Sequence, residues 1–189
     1  MFSVVFEAVR FTDAHAQALA RAVRALNHLE DVRTSTARRR RPSAYVRRVR
    51  RSRDCEQWRL YMPRFGGAEL PILLACLVEM NEAELRQMIA EGASPESIPN
   101  VYKSGVRYQR EPRGCEIWRT IRRLYLILRG DCEDIACALA AWLRVIEHEA
   151  ANAVFRARKM AAGWLLYHIL TQRASGRIED ACVALGMGA

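Results

Sequence analysis

One stretch of this sequence limits the possible folds more than any other, because apolar residues recur in it with helical spacing. These residues follow Gly130 and are Ile135, Ala138, Leu139, Trp142, Val145 and Ile146. Positions three and four residues apart share one face of a helix, so the spacing predicts a helix whose first turn contains Cys132. Its apolar face must be covered by another layer of the protein.

The residues after this helix have the pattern of β-strands. Segments 153–160, 163–172 and 177–185 are rich in β-branched and aromatic residues, and Ser175 with Gly176 is typical of a tight turn. We therefore expect an antiparallel sheet on which the Cys132 helix packs. This arrangement belongs to the α+β class.

The N-terminal part of the chain has mixed patterns as well. They predict a strand over 2–11, a helix over 13–31, a strand over 56–62, a helix from Glu69 to Gly92 and a helix over 115–129. A chain of 189 residues is long enough for one sizeable core with an appendage. We expect an N-terminal αβ extension over residues 1–68 and a core over residues 69–189.

The formal net charge of +9 has its source in one segment, residues 38–53, which contains no acid. Its nine arginines are Arg38, Arg39, Arg40, Arg41, Arg47, Arg48, Arg50, Arg51 and Arg53. We expect a loop or arm here, with Tyr45 as its only aromatic residue. Because arginine binds phosphate through two N–H groups, the segment is a candidate site for DNA or another polyanion. A solvated arm that only aids solubility is the alternative.

The six cysteines are expected to be reduced thiols. They are Cys55, Cys76, Cys115, Cys132, Cys137 and Cys182. The chain can build a core without disulfides, and no CxxC pair occurs. The four histidines are not clustered at zinc spacing either, so we expect no metal and no cofactor. Apart from Cys132, the cysteines are interpreted as structural.

The sequence predicts a soluble protein that is not secreted. No apolar run reaches the roughly 18 residues that span a bilayer. The N-terminus lacks the basic start, the apolar region and the cleavage site of a secretion signal. We therefore expect a cytoplasmic protein without a membrane partner.

Three residues form a candidate catalytic site if the last hairpin packs on the helix. Cys132 would lie at the helix N-terminus, His168 on one strand and Asp180 on the next. A helix N-terminus and an imidazolium both lower the pKa of a thiol, and a carboxylate holds the imidazole in one tautomer. The alternatives are a buried small cysteine, a core histidine and a hairpin acid.

Acidic neighbours oppose activation of this thiol. Asp131, Glu133 and Asp134 would raise its pKa unless they cap the helix, with Asp131 as the N-cap and Asp134 as its capping-box partner. An oxyanion would be bound by the backbone N–H of the cysteine and by a second donor. Tyr108 and Trp118 are candidates for that donor.

Four segments resemble a known family. They are SGVRYQREP (104–112), RGDCEDIACALAAWLRV (129–145), YHILTQ (167–172) and GRIEDACVALGM (176–187). In order and spacing they are similar to the small transglutaminase-like cysteine proteins encoded in phage and prophage structural regions. The resemblance covers roughly residues 69–189 and implies a transglutaminase/papain-like core. It also implies a Cys-His-Asp triad, carried here by Cys132, His168 and Asp180.

The resemblance leads to two hypotheses of function. The first is a cysteine hydrolase or acyltransferase acting on an amide bond of a polypeptide or of peptidoglycan. The second is a non-catalytic virion protein of the head, neck or tail that keeps the fold as a scaffold. In this second case residues 38–53 would contact DNA or an acidic neighbouring subunit. The implied location is the cytoplasm of the producing cell or a phage virion.

Overall fold

Helices are interspersed among strands along the chain in a computed structural model that describes residues 2–34, 43–52, 55–112, 116–159 and 165–188. This confirms the α+β class. The elements are β1 (Phe2–Ala8), α1 (Asp13–Thr34), β2 (Tyr45–Arg51), β3 (Glu56–Met62), α2 (Leu70–Ala90), a 3₁₀ turn (Pro95–Ser97), β4 (Arg107–Tyr108), β5 (Ile117–Arg119), α3 (Ile121–Ile127), β6 (Arg129–Gly130), α4 (Cys132–Val145), β7 (Ala151–Lys159), β8 (Leu165–Arg173), β9 (Ile178–Glu179) and α5 (Ala181–Ala184).

The N-terminal sheet has the strand order β2-β3-β1-β5. Strand β1 pairs antiparallel with β3 and parallel with β5. One face of the sheet is apolar and packs into the core, where Val4, Phe6 and Leu60 are at most 1% exposed. Because strand side chains alternate, the residues between them point to the opposite, outer face.

Strand β5 corrects the helix predicted over residues 115–129. Only Ile121–Ile127 is helical, whereas Ile117–Arg119 extends the N-terminal sheet. Trp118 is buried there, with its ring edge-on to Phe6 at a centroid distance of 5.8 Å. Burial of this indole against β1 favours an extended backbone here, although the apolar periodicity of the segment also suits a helix.

Strand β2 corrects the loop predicted for part of the arginine-rich segment. It pairs antiparallel with β3 and forms the edge of the sheet. Its start is fixed by α1, because the Asn27 side chain accepts a hydrogen bond from the Ala44 backbone N–H at 2.7 Å. Long-range backbone pairing therefore orders residues 45–51 despite four arginines.

The C-terminal sheet has the order β7-β8-β9 and is antiparallel, as predicted. Helix α4 packs on it, and the Thr171 hydroxyl of β8 donates to the Ala136 carbonyl of α4 at 3.1 Å. Every residue of α4 from Glu133 to Ala141 is buried. The helix is therefore covered on nearly all sides by α2 and the sheet, a wider burial than the predicted apolar stripe requires.

The predicted strand over residues 177–185 is wrong for most of its length. β9 is two residues long, and Ala181–Ala184 forms the short helix α5. The strand ends because the Asp180 carboxylate accepts a hydrogen bond from the Val183 backbone N–H at 3.4 Å. Such capping favours a helical turn over further strand pairing.

One apolar core runs through both halves of the chain, with residues of α1, α2 and α4 in the same cluster. Helix α2 also joins α3 through buried polar groups, because Asn81 accepts a hydrogen bond from the Ile121 N–H at 2.8 Å. The division into 1–68 and 69–189 stays a prediction. None of the helices in the described ranges is both long and apolar enough to cross a membrane.

Candidate active site

Cys132 is the first residue of α4, which confirms its predicted position in the first turn. The chain reaches it through β6, whose parallel partner β4 places Tyr108 opposite Gly130. Gly130 is buried, and a Cβ atom there would lie 2.6 Å from Leu124 Cδ1. Only glycine therefore fits this passage from strand to helix.

His168 and Asp180 lie side by side. The His168 Nε2 atom is 2.8 Å from Asp180 Oδ2, and the side chains are 27% and 33% exposed. The other carboxylate oxygen, Oδ1, binds the Val183 backbone N–H. With Nε2 as the donor, the neutral ring carries its lone pair on Nδ1. The carboxylate is thus held at both oxygens, and it fixes the tautomer of a partly solvent-accessible imidazole.

The Cys132 sulfur has different partners. Its S–H donates to Glu133 Oε2 at 3.4 Å. The backbone N–H of Ile169, the residue after His168, also hydrogen-bonds to the sulfur and lowers the pKa of the thiol. Within the described residues no hydrogen bond joins the sulfur to the His168 ring. The fold therefore brings His168 and Asp180 together and places Cys132 against the same strand.

The surroundings of Cys132 keep its thiol protonated. Burial, and after it the negative charge of Asp131, raise the pKa of Cys132 to about 12. The pKa of Glu133 is also raised, first by burial and then by Asp131. Asp131 likewise contributes to the raised pKa values of Glu111 and Glu116, in both of which burial is the largest cause.

The predicted capping box is wrong. Asp131 occupies the N-cap position, but its side chain makes no cap hydrogen bond. Asp134 instead accepts a hydrogen bond from the Arg119 backbone N–H at 2.6 Å and from its guanidinium at 2.9 Å. The same guanidinium lies 2.8 Å from Glu111 Oε1. Because Arg119 belongs to β5, the Asp134 carboxylate links the first turn of α4 to the N-terminal sheet and does not cap the helix.

Tyr108 is the better placed of the two candidate oxyanion donors. Burial, and after it the proximity of Cys132 and Asp131, raise the pKa of its hydroxyl to about 12. The Trp118 indole N–H is instead committed to Glu116 Oε2 at 3.5 Å. Tyr108 is therefore the phenol that shares the environment of the sulfur.

One group of side chains has a spacing that a metal ion can bridge. The donor atoms of Asp131, Cys132 and Glu133 lie within 4.8 Å of one another. The sequence did not indicate this group, because metal sites are recognised by the spacing of histidines and cysteines, and carboxylates beside a single thiol have no such pattern. Arg119 was missed as well, since no spacing in the sequence links β5 to the start of α4.

The remaining candidate residues are the nine arginines of segment 38–53 and the cysteines other than Cys132, and the structure describes only some of them. Four of the nine arginines, Arg47, Arg48, Arg50 and Arg51, are exposed in β2. The other five lie outside the described residues and are Arg38, Arg39, Arg40, Arg41 and Arg53. Among the cysteines interpreted as structural, Cys55, Cys76, Cys137 and Cys182 are buried free thiols, and Cys115 lies outside the described residues.

Comparison of the chain with protein-family models, with curated proteins and with solved structures found no match.

Proposed function

We propose that this protein is a transglutaminase-like cysteine hydrolase or acyltransferase that acts on an amide bond. Cys132 is the nucleophile, His168 the general base and Asp180 the residue that orients the base. The support for this function is the way in which Asp180 is held. Its two oxygens bind His168 and the start of α5, so that the imidazole keeps Nδ1 available on the strand that contacts the sulfur.

The reaction follows from these groups. His168 Nδ1 takes the proton of the Cys132 thiol as the sulfur forms a bond to the carbonyl carbon. The carbon–nitrogen bond then breaks, and the leaving amine takes the proton from the imidazolium. The thioester that remains is attacked by water, which gives a carboxylic acid, or by a second amine, which gives a new amide. Polypeptides and peptidoglycan are the substrate classes that contain such amide bonds.

The oxyanion of the tetrahedral intermediate needs two donors. The backbone N–H of Cys132 is one, because the first N–H groups of a helix have no partner within the helix. The Tyr108 hydroxyl is the second in this proposal, since its raised pKa keeps it protonated and able to donate.

The resting thiol must change partners before it reacts. Its hydrogen atom is engaged with Glu133, and the pKa of about 12 leaves very little thiolate at neutral pH. Deprotonation by His168 therefore has to be coupled to substrate binding, when the amide group displaces water and the S–H leaves the carboxylate. This makes His168 indispensable, because no thiolate is present in advance.

Alkylation of the protein with iodoacetamide at neutral pH tests the activation of Cys132. Peptide mass spectrometry would follow Cys132 beside the buried thiols Cys76, Cys137 and Cys182. We expect Cys132 to react at least about tenfold faster than these, and His168→Gln to slow it about tenfold. The control His28→Gln changes an exposed histidine of α1 and should leave the rate unchanged.

A rate that is the same in His168→Gln and in the unchanged protein would show that exposure alone explains the labelling. Equal slow labelling of all these thiols would favour the alternative hypothesis, a non-catalytic structural protein that keeps the fold as a scaffold.

Acyl transfer itself can be measured with p-nitrophenyl acetate, an activated ester that needs no knowledge of the natural substrate. We expect acetylation of Cys132, loss of that adduct in Cys132→Ser, and a rate reduction of about 10²- to 10⁴-fold in Asp180→Asn. The asparagine can still cap α5, so that its effect reports on the imidazole. Faster loss of the adduct with an added primary amine would indicate transfer, and no change would indicate hydrolysis.

A further inference from the structure

The outer face of the N-terminal sheet carries a pair of stacked tyrosines. Tyr45 of β2 lies directly opposite Tyr61 of β3, and the two rings are 4.8 Å apart at an interplanar angle of 16°. Tyr45 remains 46% exposed although it is a large aromatic residue. Because β2 is the edge strand, nothing in the described residues extends the sheet beyond it.

Three arginines flank this pair on the same face. Arg47 lies opposite Arg59 in the register, and residues that oppose each other across two strands share a face. Arg50 lies opposite Gln57, two residues from Arg59, and therefore belongs to this face as well. We define the tyrosine face as Tyr45, Tyr61, Arg47, Arg50 and Arg59.

A β-bulge determines which arginines belong to the tyrosine face. The register shifts between Arg48 and Arg50, so that Arg48 opposes Trp58 and Arg51 opposes Glu56. These two arginines therefore point to the other side, where they line a cavity of about 320 Å³ beside the start of α1. A bulge redirects the side chains of one strand in this way because it inserts an extra residue.

The positive charge of the tyrosine face is not neutralised. Within the described residues, Arg47, Arg50 and Arg59 take part in no ion pair, and the Arg59 Nε atom is buried without a hydrogen-bond partner. The one acid that the register places on the same face is Glu7, opposite Gln57. Its carboxylate is buried and bound to Arg123 at 2.6 Å. The arginines are thus available to an anionic partner.

We propose that the tyrosine face binds single-stranded nucleic acid. Unpaired bases stack on exposed aromatic rings, and guanidinium groups bind the phosphates between them. In a duplex the bases are stacked on each other, so that the tyrosines would have no role. An acidic protein would use the arginines but not the stacked rings. The tyrosine pair therefore favours a single strand, independently of any chemistry at Cys132.

The full chain would be titrated into fluorescein-labelled oligothymidylate and oligouridylate, with anisotropy measured at several salt concentrations. Tyr45→Ala should weaken binding about tenfold with little change in the salt dependence, because it removes stacking and no charge. Tyr45→Phe keeps a ring and should bind like the unchanged protein. The two oligomers distinguish DNA from RNA, and binding of either supports the proposal.

Two double variants of β2 provide a matched test of the charges. Arg47→Ser with Arg50→Ser should reduce the slope of log affinity against log salt by about 1.4, the value for two lost phosphate contacts to a single strand. Arg48→Ser with Arg51→Ser removes the same charge from the other side of the strand and should change the slope much less.

Three results would overturn the proposal. The first is equal binding by Tyr45→Ala and the unchanged protein. The second is an equal effect of the two double variants. The third is binding of a duplex or of polyglutamate as tight as that of the single strand. Such a result would show that the protein binds negatively charged polymers in general.

Discussion

The start of α4 and the tyrosine face are opposite in charge and in burial. Around Cys132 the chain collects the carboxylates of Asp131, Glu133 and Asp134, and the last two are buried. On the tyrosine face it collects arginines, of which Arg47 and Arg50 are exposed. Buried charges require partners or altered pKa values, whereas exposed charges are screened by water. The comparison indicates that the first region contributes to stability and that the second is free to bind.

The two regions also differ in how their side chains are held. The Asp134 carboxylate binds both the backbone and the side chain of Arg119, and Asp180 is bound at both oxygens. In contrast, the side chains of Arg47 and Arg50 make no hydrogen bond or ion pair within the described ranges, and only the backbone pairing of β2 holds these residues there. We therefore expect large effects from substitutions at the start of α4 and small effects on stability from those on the tyrosine face.

Replacing Arg119 with alanine should have the largest effect. Asp134 is fully buried, and its guanidinium partner is 16% exposed, so the variant leaves a buried carboxylate without its cation. We expect the free energy of unfolding to fall by about 3–5 kcal/mol in urea titrations. Arg47→Ala on the tyrosine face should change it by less than about 0.5 kcal/mol. Similar losses in the two variants would contradict the comparison.

Gly130→Ala should have the next largest effect. The new Cβ atom would lie 2.6 Å from Leu124 Cδ1 and 2.9 Å from Asp134 Cβ, so that the start of α4 must shift. We expect a loss of about 1–3 kcal/mol in the free energy of unfolding. Gly67→Ala is the matched control, because its Cβ atom would meet Phe155 at an ordinary 3.7 Å. A control variant as unstable as Gly130→Ala would rule out steric crowding as the cause.

Cys132 at the start of α4 and Cys55, which lies beside the tyrosine face, are thiols that should weaken the fold at alkaline pH. Burial raises the pKa of Cys55, which donates to Glu7, to about 11, and that of Cys132 to about 12. A folded-state pKa above the unfolded one gives stability that is complete below about pH 9 and is lost as pH rises through the folded value. Urea titrations should show a falling free energy of unfolding above pH 9. Cys55→Ala should reduce this slope, and an unchanged slope would contradict the assignment.

Asp131→Asn should have the smallest effect. It removes one of the charges that raise the pKa of Cys132 but leaves burial, the larger cause, in place. We expect alkylation of Cys132 between pH 8 and 9 to become severalfold faster, because thiolate is the reactive form. Asp31→Asn changes an exposed acid of α1 and serves as the control. No acceleration in Asp131→Asn would mean that its charge is screened from the sulfur.

Much of the fold could be predicted because local periodicity determines it. β3 has the predicted bounds of 56–62, and α2 lies within the predicted range from Glu69 to Gly92. Ile117–Arg119 could not be recognised, because its apolar residues suit a helix as well as a strand. The choice depended on pairing with β1, which is more than 100 residues earlier in the chain.

The candidate site could be predicted in its residues but not in its contacts. Turn and strand signals place His168 and Asp180 on neighbouring segments, and the structure gives their 2.8 Å contact. The backbone N–H that binds the Cys132 sulfur and the partner of Asp134 could not be predicted, since β8 and β5 supply them from distant segments.

By itself the sequence determined where elements such as β3 and α2 form and that Cys132 begins a buried helix, because the spacing of apolar residues is a local property. Tertiary structure alone decided which charges meet. It joined Arg119 to Asp134, and through one bulge it turned Arg47 and Arg50 to one side of β2 and Arg48 and Arg51 to the other. These outcomes depend on strand register, which is set by pairing between distant segments rather than by the residues of any one segment.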